Sequence, residues 1–224
     1  MIIGTDVCKN YALPTASSQG LQTLRVLKNL NFKIEAQSWT TLMGPSGSGK
    51  STLLSLLAGL DTVSQGSIQI DGTFLENLNE EERAKFRADK MGFIFQSFRL
   101  LPTLTALENV LLPLEILGQF DKSERGILLL KKVGLENRLD HLPSQLSGGE
   151  QQRVAVARAF AAQPKILFAD EPTGNLDSKN GNVVLDLLNQ LRIENNSTLV
   201  VVTHDPEVAK HGDKTLQLRD GEWV

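Results

Sequence analysis

Gly44-Pro45-Ser46-Gly47-Ser48-Gly49-Lys50-Ser51-Thr52 stands between a β-prone run, Trp39–Met43, and a helical pattern over Lys50–Leu60. The stretch fits G-x-x-x-x-G-K-[S/T], the spacing of a phosphate-cradling loop between a strand and a helix. Its glycines let backbone N–H groups close around phosphate oxygens, and the following helix turns its positive end on them. Lys50 has the length to reach β- and γ-phosphates, and the Ser51 hydroxyl can ligate Mg²⁺. The plainer alternative, a flexible glycine-rich turn, is disfavoured by the strand–loop–helix context. Nucleotide binding is therefore the first functional expectation.

Outward from this loop, strands and helices alternate. Before it, the first forty residues read as strands, with alternating apolar positions through Leu24–Leu27 and Leu30–Ile34 and a loop over Pro14–Gly20. After it come a strand at Ser67–Ile70 closed by the turn signal Asp71-Gly72, a charged helix over Asn79–Asp89, and a strand at Met91–Phe95. Residues 103–162 read almost entirely helical. Leu107, Val110, Leu111, Leu114 and Leu117 recur at helical spacing, and further helices lie near Lys122–Val133 and Gly149–Ala162. Alternation then resumes through Ile166–Ala169, Ser178–Ile193, Leu199–Thr203 and Leu216–Arg219. This order predicts an α/β fold of the P-loop NTPase type, with a mostly parallel core sheet, an N-terminal antiparallel β part and a helical insertion. Residues 1–224 form one domain in this reading, with 1–96 and 163–224 as catalytic core and 97–162 as helical subdomain. No internal repeat or low-complexity segment is visible.

Composition narrows the function classes. The chain has 224 residues, 41% hydrophobic and 22% charged, which excludes disorder, and only 18 Gly and 8 Pro, which excludes a collagen-like chain. With 23 Lys+Arg against 26 Asp+Glu the net charge is −3, so there is no electrostatic argument for a nucleic-acid partner. Cys8 is the single cysteine, so no internal disulfide forms, and a reducing compartment is expected, with Cys8 as a small packing residue. The opening MIIGTDVCKNYALP lacks a basic segment followed by an apolar run, and so does not read as a secretory signal. The purely aliphatic runs Leu199–Val202 and Ile127–Leu130 fall far short of the ~20 residues a bilayer needs. Any membrane role is expected to come through a partner.

Two further stretches carry chemistry. Ile166-Leu167-Phe168-Ala169-Asp170-Glu171 is an apolar strand ending in two carboxylates, and ligands of α/β sheets bind at the carboxyl ends of strands. Asp170 suits Mg²⁺, directly or through water, and Glu171 suits the base that polarises an attacking water. Two acids after a strand are also a common loop cap, and pairing them with the phosphate loop favours the catalytic reading. Leu146-Ser147-Gly148-Gly149-Glu150-Gln151-Gln152-Arg153 opens a helix. Ser147 is a good N-cap and adjacent glycines expose amide donors, so this is either an ordinary helix start or a second phosphate-binding helix end. A second anion site beside one nucleotide loop raises the question of whose phosphate it holds.

The set Gly44–Thr52, Gln96, Leu146–Arg153, Asp170-Glu171-Pro172-Thr173, Asn175-Leu176-Asp177 and His204 resembles an ATP-binding cassette (ABC) ATPase subunit, in order and along the whole chain. The resemblance implies ATP and Mg²⁺ as ligands and a head-to-tail homodimer in which LSGGE of one copy closes over nucleotide held by the other. By the same resemblance Tyr11 stacks on adenine, where an isolated early Tyr would otherwise read as packing. Gln96 matches the glutamine that senses Mg²⁺ and the attacking water, and His204 the histidine that contacts the γ-phosphate. Asp177 matches the aspartate that communicates across the dimer, while Ser147 and Gly149 would touch the γ-phosphate in trans. One departure precedes the phosphate-loop strand: many members carry Gly-Glu there, and this chain has Gln37-Ser38. The acid, base, lysine and histidine positions are intact, so hydrolysis is expected.

Within the family, Gly92–Val110 resembles ATPases of lipoprotein release, macrolide-type export and cell-division signalling, which serve permeases with few membrane helices and large extracytoplasmic domains. Arg138–Ser147 and Ile166–Asp177 look closest to the YbbA-type ATPase, with the lipoprotein-releasing ATPase as near neighbour. The apolar cluster Phe98, Leu100, Leu101 and Leu104 is either a socket for a permease helix or core of the insertion. The implied protein is an ATPase subunit on the cytoplasmic face of the inner membrane, driving a separate permease. A DNA-repair ATPase head shares these motifs but is split by long coiled coils, and nothing here sustains three heptads. A translation factor of the superfamily carries two cassettes, and a small phosphate-loop kinase leaves LSGGEQQR and His204 unexplained.

Overall fold

The computed structural model describes residues 1–14 and 21–224. Of the loop expected over Pro14–Gly20, residues 15–20 lie outside the described residues. The chain forms two compact units, Met1–Lys85 with Val202–Val224, and Phe86–Val201.

In the first unit, β1 (Ile2–Pro14) pairs antiparallel with β2 (Leu21–Ile34) and with β4 (Gln65–Ile70), which turns through Asp71-Gly72 into the short β5 (Thr73–Phe74). The order β2-β1-β4-β5 is the antiparallel N-terminal part expected from the sequence. Ile2, Val7, Leu27, Leu30, Ile68 and Ile70 of these strands are buried. Register slips near Asp6, whose φ of 48° marks a bulge held by paired side-chain bonds with Asn31 (3.0 and 2.9 Å). β3 (Trp39–Met43) runs parallel to β9 (Lys214–Arg219), and β10 (Glu222–Trp223) returns antiparallel to β9. α1 (Lys50–Leu57) ends three residues short of the sequence expectation. Gly59 (φ 61°) closes it with a 3.0 Å bond to the Leu56 carbonyl, and the Leu60 amide turns back to Ser55. The short α7 (Pro206–Ala209) was not anticipated.

α2 (Glu80–Lys90) leads into the second unit, with three glutamates in its first turn and Arg87 and Lys90 in its last, as the helix dipole favours. There β6 (Met91–Phe95) pairs parallel with β7 (Ile166–Asp170), followed by β8 (Thr198–Thr203), every residue of which is buried. These parallel pairs bear out the mostly parallel core sheet. α3 (Ala106–Ile116), α4 (Ser123–Lys132), α5 (Gly148–Ala161) and α6 (Ser178–Glu194) supply the helices. α5 is the centre of this unit, with Val154, Ala155, Val156, Ala157, Phe160 and Ala161 all excluded from solvent.

The helices expected within 103–162, one spaced along Leu107–Leu117, one near Lys122–Val133 and one near Gly149–Ala162, stand as α3, α4 and α5. Gly118 and Gly134 take φ of 71° and 73°, ending α3 and α4, and residues 133–147 form turns with one 3₁₀ turn at Pro143–Gln145. None of the described helices is long and apolar enough to cross a membrane.

Candidate functional site

The phosphate loop belongs to the first unit. The chain leaves β3 and turns at Gly44, where a Cβ would lie 2.0 Å from the Leu218 carbonyl oxygen. Gly49, the residue before α1, has φ 104°, and a Cβ there would meet the Leu27 side chain at 2.7 Å. The loop therefore seats against β2 and β9, and the Gly221 amide ties it down through the Ser48 carbonyl (3.2 Å).

Lys50 is 9% exposed, and its ammonium donates to the carbonyls of Gly44 (2.7 Å) and Pro45 (2.8 Å). Two of its three N–H donors thus hold the cation within the loop, leaving one to offer a ligand. Ser48 Oγ is buried with no hydrogen-bond partner among the described residues. Side chains of Thr105, Ser147, Asp177 and Asp205 cap α3, α5, α6 and α7, whereas Gly49 brings none to α1. The first-turn amides of α1 are therefore left to an anion. Pro45, Ser46, Gly47 and Ser51 are exposed along the loop, and Thr52 is half-buried. An orphan hydroxyl, a buried ammonium and an open helix start fit a nucleotide triphosphate. The Ser51 hydroxyl is a hard oxygen donor of the kind that suits Mg²⁺.

Two other predicted residues stand in the first unit. Tyr11, on β1, is 38% exposed. Partial burial and the Asp61 carboxylate push its hydroxyl above the ordinary value, keeping it a donor. His204 follows β8 in an exposed turn, where the Asp205 amide bonds Thr203 Oγ1 (3.0 Å) and Asp205 starts α7.

The second unit carries the remaining predicted residues. β7 is buried through Ala169 and delivers Asp170 and then Glu171, both half-buried. Glu171 takes φ 46°, and its turn closes with the Gly174 amide on its carbonyl (3.1 Å). Gln152, fully buried on α5, donates from Nε2 to the Pro172 carbonyl at 2.6 Å. Gln96, just past β6, exchanges two bonds with Asn175: Asn175 Nδ2 to the Gln96 carbonyl (2.9 Å) and Gln96 Nε2 to Asn175 Oδ1 (3.3 Å). A Cβ on Gly174 would lie 2.7 Å from Gln96 Nε2. The structure thus brings Gln96 together with the loop that leads to Asp177.

Asp177 caps α6, with Oδ1 accepting from the Asn180 amide (2.9 Å) and Oδ2 from its side chain (2.6 Å). These bonds, the backbone one foremost, hold its carboxyl below the ordinary range. Ser147 caps α5 in a capping box with Glu150, whose carboxylate also meets Arg138 at 3.3 Å. Gly148 is exposed, and Gly149 is buried against Asn180, which a Cβ would approach to 3.1 Å. The predicted residues Ser147, Gly149 and Asp177 therefore share one neighbourhood, joined through Asn180.

Sequence reasoning missed Gln152, Asn175 and Asn180 as individuals, although the first two lie inside motifs it quoted. It also missed Arg158, whose guanidinium grips the carbonyls of Phe98 (2.8 Å) and Arg99 (2.6 Å), and buried Asn109, which binds the carbonyls of Leu101, Leu104 and Thr105. Nothing in their spacing marks them, because their partners are backbone atoms.

The family model described as "ABC transporter" matches residues 27–174. The ABC transporter ATP-binding protein YbbA of Escherichia coli K12 is 48% identical over 219 residues, 97% of this chain and 96% of its own. The lipoprotein-releasing system ATP-binding protein LolD of Acinetobacter baylyi is 44% identical over 222 residues, 98% of this chain and 95% of its own. A solved dimeric structure of the ATP-binding cassette MJ0796, in a post-hydrolysis state with ADP and Pi, matches with a TM-score of 0.86 at 43% identity. That match covers 100% of this chain and 96% of the other. The DNA-repair alternative finds no support among these relatives.

Proposed function

This chain belongs to the ABC transporter family as an ATP-binding subunit, an ATPase, and on that premise we propose which of its residues do the work. Tyr11 stacks on adenine, Gly44–Thr52 wraps the phosphates, and Lys50 neutralises the β- and γ-phosphate oxygens. Ser51, Gln96 and Asp170 would hold Mg²⁺, which would supply further positive charge against the developing phosphoryl charge. Glu171 accepts the proton of the water that attacks the γ-phosphorus, and the bond to ADP breaks as inorganic phosphate forms. His204 donates to the γ-phosphate. Ser147, Gly148 and Gly149 cover the nucleotide of a second copy, and Asp177 reports its state across the dimer. Fixed donors aimed at the transferring group carry most of the rate enhancement. The observation that supports this reading best is the loop itself: a buried Lys50 ammonium, an orphan Ser48 hydroxyl and an uncapped α1.

ATP binding closes the dimer, and hydrolysis reopens it and pulls on a separate integral-membrane permease. We place the subunit on the cytoplasmic face of the inner membrane, held there by that partner. The kinship with LolD favours a permease with a large extracytoplasmic domain, used for export, lipid or lipoprotein extraction, or force transmission. Residues 97–162 act as the helical subdomain that meets it, with Phe98, Leu100, Leu101 (43% exposed) and Leu104 as the socket.

The test is Glu171→Gln. It binds ATP and elutes as a dimer on size exclusion with ATP, while phosphate release stops; normal turnover would sink the role of Glu171. Tagged Glu171→Gln, captured in gentle detergent with ATP, then identifies the permease. Recovery of a conventional multi-helix bundle overturns the force-transmission reading, and recovery of DNA or ribosomes alone overturns the transport reading.

A further inference from the structure

Lys9 carries a charge on β1 yet is only 7% exposed, so it must be paired. Its ammonium donates to Asp61 Oδ1 (2.6 Å) and to the Thr62 carbonyl (2.8 Å), and it lies 4.9 Å from the centre of the Tyr11 ring. All three donors of the ammonium are accounted for by these neighbours. The other oxygen of Asp61 accepts the Tyr11 hydroxyl at 2.8 Å. One carboxylate, standing four residues past the end of α1, thereby fastens a buried cation with one oxygen and an exposed aromatic ring with the other.

We propose that Asp61 is the positioning residue of the adenine platform, held by Lys9 and holding Tyr11 by its hydroxyl. The inference rests on the reading of Tyr11 as the adenine-stacking side chain. An exposed tyrosine on a strand keeps two rotatable side-chain bonds, and ordering it at the moment of binding costs affinity. The Asp61 bond fixes the ring before the base arrives. Lys9 covers one face of that ring and draws electron density toward itself, leaving the opposite face to an electron-rich purine. Because α1 starts at the phosphate loop and Asp61 follows its end, base and phosphate subsites are tied to one helix. The Tyr11 hydroxyl also meets the Thr52 side chain at the end of the phosphate loop, so a ligand made of phosphates alone is the control that assigns the effect to the base.

The experiment compares dissociation constants for MgATP and for magnesium tripolyphosphate, which keeps the phosphates and lacks the base. Tyr11→Phe retains the stacking ring and deletes only the hydroxyl; it is expected to weaken ATP binding about 3- to 10-fold, the worth of one such hydrogen bond. Tripolyphosphate binding stays within about twofold. Asp61→Ala has a similar selective effect, and adding Tyr11→Phe to it costs less than the two effects summed, since both remove the Asp61–Tyr11 link and only Tyr11→Phe also removes the contact with Thr52. Tyr11→Ala separates this inference from its premise. If Tyr11→Ala leaves the ratio of ATP to tripolyphosphate affinity unchanged, the adenine reading itself fails. If Tyr11→Ala lowers that ratio but Tyr11→Phe does not, stacking stands and the role of Asp61 is overturned. If Asp61→Ala weakens both ligands equally, Asp61 merely supports the turn after α1, and the inference is again overturned. Tyr11→Phe exposes no new buried group, so the test survives even if Asp61→Ala fails to fold.

Discussion

Gln152→Met tests how α5 holds the turn that carries Glu171, the proposed base. Gln152 is fully buried, and its Nε2 bond to the Pro172 carbonyl is 2.6 Å. Methionine keeps its length and loses the donor. The carbonyl it abandons lies next to Glu171, whose left-handed backbone (φ 46°) costs about 1–2 kcal/mol for a residue with a Cβ. A buried carbonyl left unpaired costs about 1–3 kcal/mol. Gln152 Oε1, however, is itself buried without a partner among the described residues, and removing it returns part of that loss. Global stability should therefore fall by no more than about 1.5 kcal/mol, a Tm shift of up to roughly 6 °C in a chain this long. The local cost is larger, because the turn that aims Glu171 has lost its buried anchor. We expect kcat to fall about 5- to 50-fold, at about 1.4 kcal/mol per tenfold, with KM for ATP within about twofold. Steady-state phosphate release, with a thermal melt on the same sample, measures both. An unchanged kcat, or a raised KM with normal kcat, would refute the argument that α5 positions the base.

Gly49→Ala places a Cβ 2.7 Å from Leu27 at φ 104°, so nucleotide titration should show at least about tenfold weaker binding. Gln37 occupies a left-handed turn position (φ 60°), and Gln37→Gly should raise stability by about 0.5–1 kcal/mol in denaturant melts. The Ser147 amide and hydroxyl hold the Glu150 carboxyl below its ordinary 4.5. A lowered folded value means this stabilisation is complete above that ordinary value and is lost as pH falls through the folded one. Ser147→Ala should accordingly cost about 1 kcal/mol in melts at pH 7 and clearly less at pH 3. Lys50→Met leaves the loop without its cation, and MgATP binding should drop below detection in the same titration.

What could be read along the chain was what sequence-local physics sets. β3 and β6 fall at Trp39–Met43 and Met91–Phe95 as expected, because a short β-prone run bounded by glycine or polar residues has one reading. The phosphate loop was legible because its glycines, lysine and serine act within nine consecutive residues. Ser147 signalled its helix as a good N-cap residue, and its side chain caps α5. The gap between the helices near Lys122–Val133 and Gly149–Ala162 was legible too, and turns fill it over residues 133–147.

Other features were decided only when distant segments met. Lys9 and Asp61 are separated by 52 residues, and Gln96 and Asn175 by 79; each pair has meaning only through the other. The anchor that Gln152 gives the left-handed turn at Glu171 likewise exists only once α5 meets the Pro172 carbonyl, 20 residues along the chain. The identity of a ligand-binding group follows from its own chemistry, which a sequence displays. Its orientation follows from hydrogen bonds to backbone carbonyls and carboxylates far along the chain, and those partners are chosen by packing.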